Sequence, residues 1–126
     1  MSSQVVLLVE DNERNLKLAR DVLEYAGFTV LVATSGEEAV ATAQRSAPDV
    51  ILMDLQLPGI DGHAALSLLR ADSTTGSIPV VALTAFAMAQ DRDRALAAGF
   101  DGYLEKPIDV RRFPEQVRSY CRPVER

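Results

Sequence analysis

VILMDLQLPGIDG, residues 50–62, joins an apolar run to an acid and then to a turn. Val50–Met53 lead into Asp54, and a loop with Pro58 and Gly59 follows. A short apolar run closed by turn residues reads as a strand buried on both faces, the kind found in a parallel sheet covered by helices. A carboxylate at the end of such a strand is costly unless it is paired, bound to a metal or used in chemistry.

The same pattern recurs on both sides. VVLLV (Val5–Val9), FTVLVA (Phe28–Ala33) and IPVVAL (Ile78–Leu83) read as further strands, and GYLEK (Gly102–Lys106) as a weaker fifth. Helical spacing fills the gaps. Leu16, Ala19, Leu23 and Ala26 share one face, with Gly27 as a stop. SGEE (Ser35–Glu38) has the form of a capping box, followed by the stripe Ala39, Val40 and Ala43. Leu66 and Leu69 supply a third helix, Met88, Ala95 and Leu96 a fourth that Gly99 ends, and Val110, Phe113, Val117 and Tyr120 a fifth. Five βα units predict a doubly wound α/β sheet with right-handed crossovers. No linker, low-complexity segment or appended domain is expected, so residues 1–126 read as one domain.

Composition narrows the function. The chain of 126 residues is 48% hydrophobic and 25% charged, as in an ordinary globular protein with a real core. Its net charge of −5 disfavours non-specific attachment to nucleic acid or anionic membranes. No apolar stretch is long enough to span a bilayer, and MSSQ does not open a signal peptide, so a cytoplasmic protein is expected. A lone Cys121 makes no disulfide framework and no cysteine metal site.

Ligands of open parallel sheets bind beyond the carboxyl ends of the strands. There the sequence places Glu10 and Asp11, Asp54, Thr84 and Lys106. Neighbouring strands would bring these residues together. Clustered carboxylates repel one another, and a hard divalent cation relieves that repulsion. Oxygen ligands without His or Cys point to Mg2+. The chain has 11 arginines and only two lysines, Lys17 and Lys106, so a lysine at this edge suggests a compact donor for phosphate. Such a set suits phosphoryl transfer with Asp54 as the acceptor.

VEDN, MDLQLPGIDG, LTAFA and YLEKP resemble, in order, the motif set of the response-regulator receiver domains of two-component signalling. The resemblance covers essentially the whole chain. It implies a five-stranded flavodoxin-like sheet in the order 2-1-3-4-5, in a stand-alone regulator of the CheY or DivK kind. It also implies a phosphoacceptor at Asp54, with Glu10, Asp11, Asp54 and the Gln56 backbone carbonyl around Mg2+ and Asp11 the more direct ligand of the acidic pair. Lys106 and Thr84 would serve the phosphoryl group, and Thr84 with Tyr103 would form the switch. A cis Lys106–Pro107 bond is implied as well. A sensor histidine kinase or phosphotransfer protein would be the donor. A downstream protein would meet the face of the fourth helix, fifth strand and fifth helix, with Phe86, Met88, Gln90 and Arg94 among its members. Gln56 and Phe86 would set the lifetime of the phosphorylated state. Pro114 departs from the pattern, and the last helix should start late or bend there.

Blander readings accompany these. An acidic pair after a strand is often a solvated helix start, Thr84 could be an ordinary strand end, and Tyr103 could be core packing. Asp54 and Lys106 beside one another favour the functional reading. His63 is expected to be exposed and inert, Cys121 to pack near the end, and QDRDR (Gln90–Arg94) to be a solvated face. An aspartate-nucleophile phosphatase of the haloacid dehalogenase type would need an acid two residues after Asp54, where Gln56 stands. A nucleotide- or flavin-binding module lacks its glycine motifs. A degenerate receiver acting only by protein binding would not need the full set of site residues.

Overall fold

The computed structural model describes residues 4–57, 59–84, 89–106 and 108–121, with the side chains of 89–91 left aside. Pro58, Ala85, Phe86, Met88 and Pro107 lie outside the described residues, and so does the Lys106–Pro107 bond. Strands and helices alternate as β1 (Val5–Val9), α1 (Glu13–Tyr25), β2 (Thr29–Ala33), α2 (Gly36–Ser46), β3 (Val50–Asp54), α3 (Gly62–Ala71), β4 (Val80–Thr84), α4 (Ala89–Ala98), β5 (Gly102–Glu105) and α5 (Phe113–Tyr120). The strands form one parallel sheet in the order β2-β1-β3-β4-β5.

Strand alternation explains the two cores. Leu7, Val9, Ile51 and Met53 face one side, where α2, α3 and α4 add Ala39, Leu66 and Ala95. Val6, Leu8, Val50 and Leu52 face the other, where α1 and α5 add Leu23 and Phe113. Successive side chains of a strand point to opposite faces, so a strand covered on both must be apolar throughout. Gly27 and Gly99 follow α1 and α4 with φ of 100° and 110°, a left-handed turn that glycine adopts without a side-chain clash. Ser35 caps α2 by accepting from Glu38 N at 3.1 Å. The Glu38 carboxylate returns to Thr34 N at 2.7 Å, one residue earlier than a standard capping box.

Two expectations about apolar faces fail. Leu96 is 43% exposed, because Ala95 is the residue α4 turns inward. Val110 is 53% exposed and precedes α5. Pro114 resolves the other way: α5 starts late, so the proline sits in its first turn, where no helix hydrogen bond is lost. His63 is exposed as expected, but its ring stands edge-on to Phe100 at 5.4 Å. Arg92, Asp93 and Arg94 are solvated. Cys121 is half-buried, and burial together with nearby Asp49 pushes its thiol up to about 11. Among the described residues no helix is long and apolar enough to cross a membrane.

Candidate functional site

The carboxyl ends of β1, β3, β4 and β5 lie side by side because of the strand order. Asp54 and Thr84 are the last residues of β3 and β4, and both are buried, at 4% and 3% exposure. Glu10 directly follows β1 and is 2% exposed. Its N–H donates to Ala33 O at 3.0 Å, which holds the chain against β2 as the strand ends. Asp11, next in the chain, is exposed. Lys106 follows β5, and its N–H donates to Thr84 O at 2.8 Å, extending the ladder one residue past β5.

Side chains converge from these ends. Lys106 Nζ lies 2.6 Å from Glu10 Oε1 and 2.7 Å from Asp54 Oδ2. Asp54 Oδ1 accepts from Gln56 N at 2.9 Å. Each Asp54 oxygen therefore has its own donor. Carboxylate oxygens of Glu10, Asp11 and Asp54 all lie within 4.8 Å of one another. They face a cleft of about 910 Å³ whose walls include Asn12, Arg14, Gln56 and Lys106.

The electrostatics follow from this crowding. Burial pushes the Glu10 carboxyl above its ordinary value, and sharing the space with Asp54 adds to the rise. Lys106 and the Asn12 N–H, 3.2 Å from Glu10 Oε2, pull the other way. Burial alone would lower the Lys106 ammonium, but its bonds to Asp54 and Glu10 outweigh burial and hold it above the usual lysine value. Three carboxylates meet one directly bonded ammonium, while Arg14 lines the outer cleft. The remaining negative charge and the all-oxygen donor set suit a hard divalent cation.

Glu10, Asp11, Asp54, Gln56 and Lys106 thus share one cleft, and Thr84 stands at the end of the adjacent strand. Tyr103 is half-buried on β5 and lines a separate groove of about 700 Å³ between α4 and α5, with Arg92, Gly102, Glu105, Arg112 and Tyr120. Arg94, expected on that face, is exposed, and Phe86 and Met88 lie outside the described residues.

The sequence reading passed over Asn12. Its Oδ1 accepts from Arg14 N at 3.0 Å and Asn15 N at 3.1 Å, capping α1. An Asn just before a helical run is a legible cap signal, and here the same residue ties the helix start to Glu10.

Comparison with known proteins agrees with this geometry. The family model for the response regulator receiver domain matches residues 6–118. The polar-differentiation response regulator DivK of Brucella ovis is 45% identical over 115 residues, which cover 91% of this chain and 94% of that relative. Among solved structures, the chemotaxis response regulator CheY4 of Vibrio cholerae aligns with a TM-score of 0.88 and 27% identity, covering 94% of this chain and 99% of that one. The receiver domain of a sensor histidine kinase from Pseudomonas aeruginosa PAO1, solved with a magnesium ion coordinated in its active-site cleft, aligns with a TM-score of 0.86 and 36% identity, covering 94% and 98%.

Proposed function

The chain belongs to the response regulator receiver domain family, and from that premise we propose that Asp54 is the phosphoacceptor of this signalling switch. The observation that carries the assignment is the convergence of Glu10, Asp11 and Asp54 on one another, with Lys106 bonded to two of them. Receivers take a phosphoryl group from a histidine kinase or phosphotransfer partner and pass the signal to a downstream target. They are switches rather than enzymes in the usual sense. Here the chain would catalyse only its own phosphotransfer and later hydrolysis.

An Asp54 oxygen attacks the phosphorus of a phosphohistidine. The P–O bond of an acyl phosphate forms, the P–N bond breaks, and the imidazole nitrogen leaves with the electron pair. Lys106, already within reach of Asp54 at 2.7 Å, turns its ammonium to a phosphoryl oxygen. Thr84 offers its hydroxyl to another. Mg2+ held by Glu10, Asp11, Asp54 and the Gln56 carbonyl would neutralise charge on the phosphoryl oxygens.

The new group adds about −1.5 to −2 of charge at neutral pH. In our reading Thr84 and Tyr103 convert that charge into repacking, and the groove between α4 and α5, with Tyr103 on its wall, meets the downstream protein. The whole chain reads as one such receiver unit.

Incubation with a small acyl-phosphate donor and Mg2+ should add one phosphoryl mass to the wild type and none to Asp54→Asn. Equal labelling of the variant would reject Asp54.

A further inference from the structure

The loop between β3 and α3 carries Gln56, and two helix starts close on it. Gly36 opens α2 and is buried. A β-carbon at Gly36 would stand 2.6 Å from Ile60 Cγ1 and 2.8 Å from the Ile60 carbonyl oxygen. The second contact is with backbone, which cannot rotate away as a side-chain tip can. Glu37, the next residue, lays its carboxylate over Gly59, where a β-carbon would meet the two oxygens at 2.7 and 2.8 Å. On the other side Gly62 opens α3, and a β-carbon there would be 3.1 Å from Asp54 O and 3.2 Å from Leu55 Cα. Gly59 and Ile60 are therefore seated against the start of α2, and the start of α3 packs on the backbone of Asp54 and Leu55, which leads into Gln56.

We propose that Gly36 is a positioning residue for the metal and phosphoryl site: its missing side chain lets the start of α2 seat Ile60, and Ile60 sets the place of the loop that presents Gln56. This rests on the reading of the Gln56 carbonyl as a metal ligand. Its consequence is unexpected from the cleft alone, since neither β2 nor α2 lines it. Alanine is also the better helix former, so Gly36→Ala favours α2 locally while pushing on Ile60. Loss of metal affinity in that variant reports displacement of the loop rather than a weakened helix.

The test uses the full chain, with Mg2+ titrated by calorimetry and the Gln56 amide followed by NMR before any metal is added. Gly36→Ala should lose about five- to tenfold in Mg2+ affinity, the scale expected when a ligand group moves by a few tenths of an ångström. Its Gln56 amide resonance should move as well, because that N–H bonds Asp54 Oδ1. Ala41→Gly weakens α2 at a position outside the apolar cluster that Ile60 packs against, and should keep both at wild-type values. If Gly36→Ala does not fold, Ile60→Ala removes the same contact from the loop side and should lose about threefold. Wild-type affinity in both loop-contact variants overturns the proposal, as does an equal loss in Ala41→Gly. Asp11→Ala separates the two levels. If it binds Mg2+ normally, the metal reading itself fails. If it loses Mg2+ while Gly36→Ala does not, only the positioning role falls.

Discussion

Carboxylates stand at both ends of the sheet, and they are treated in opposite ways. At the amino end Asp49 Oδ2 accepts from Val5 N at 2.7 Å, and Asp101 Oδ2 accepts from Val80 N at 2.8 Å and from Arg70 Nη2 at 2.6 Å. Arg70 also donates to the carbonyls of Gly76, Ile78 and Gly99, which ties α3 to the approaches of β4 and β5. Each acid there holds the start of a strand, and the two are apart from one another in role. At the carboxyl end three acids crowd within 4.8 Å of one another, and Lys106 bridges two of them. The first arrangement is what carboxylates do for a fold. The second leaves negative charge in excess, an arrangement that suits a hard divalent cation.

The largest effect should come from removing the shared ammonium. Lys106→Met leaves Glu10 and Asp54 facing each other without it, and without divalent cation the protein should lose about 1–3 kcal/mol of stability. Mg2+ should then raise the melting temperature of the variant more than that of the wild type, because it becomes the charge partner that the lysine had been. A variant as stable as the wild type in chelator would mean that the acids are not held by Lys106 and that the contrast between the two ends is overstated.

Asp101→Ala sharpens the contrast from the other end. The Arg70–Asp101 pair is partly exposed, so the ion pair itself contributes little. The Val80 N–H, by contrast, loses its acceptor at the first residue of a buried strand. A loss of about 1–2 kcal/mol is expected, the same in chelator and in Mg2+, with metal affinity unchanged. Denaturant titration in both conditions gives the comparison. If Mg2+ affinity fell with stability, the amino end would be coupled to the site rather than serving the fold alone.

The two ends were also unequally legible. The carboxyl end could be read from sequence because each acid or hydroxyl terminates an apolar run, and one set of strand neighbours brings all the ends together. Asp54 and Thr84 close their strands, and Lys106 lies one residue past β5. The amino end could not, because Asp49 and Val5, or Arg70 and Asp101, are 44 and 31 residues apart, with no local pattern linking them. Leu96 and Val110 misled because helical spacing shows that an apolar residue recurs, not whether anything packs beside it. The stop of α2 was invisible for a different reason. Ala47 takes φ of 45°, a left-handed conformation for which alanine carries no signature.

The smallest effect concerns the sign of the Glu10 charge. Burial and the nearby Asp54 carboxylate hold the Glu10 carboxyl above its ordinary 4.5. A carboxyl whose pKa is raised by folding favours the folded state in its protonated form. Its contribution is therefore fully present below about pH 4.5 and is lost as pH rises through the raised folded value. Above the raised folded value the ionised Glu10 is a burden on the metal-free protein. Glu10→Gln keeps the shape of the neutral acid, so in chelator at neutral pH the variant should melt slightly higher than the wild type. The two melting curves should converge as pH falls toward 4.5. Mg2+ reverses the ranking, because a metal site needs the carboxylate. The wild type should gain more stability from Mg2+ than Glu10→Gln at neutral pH, and that advantage should shrink on acidification through the raised Glu10 value. Thermal melts across this range, each with chelator and with Mg2+, separate the two effects. A Glu10→Gln variant that melts lower than the wild type in chelator at neutral pH would show that the bond to Lys106 outweighs burial. The carboxyl end would then be, at Glu10, as settled as the amino end.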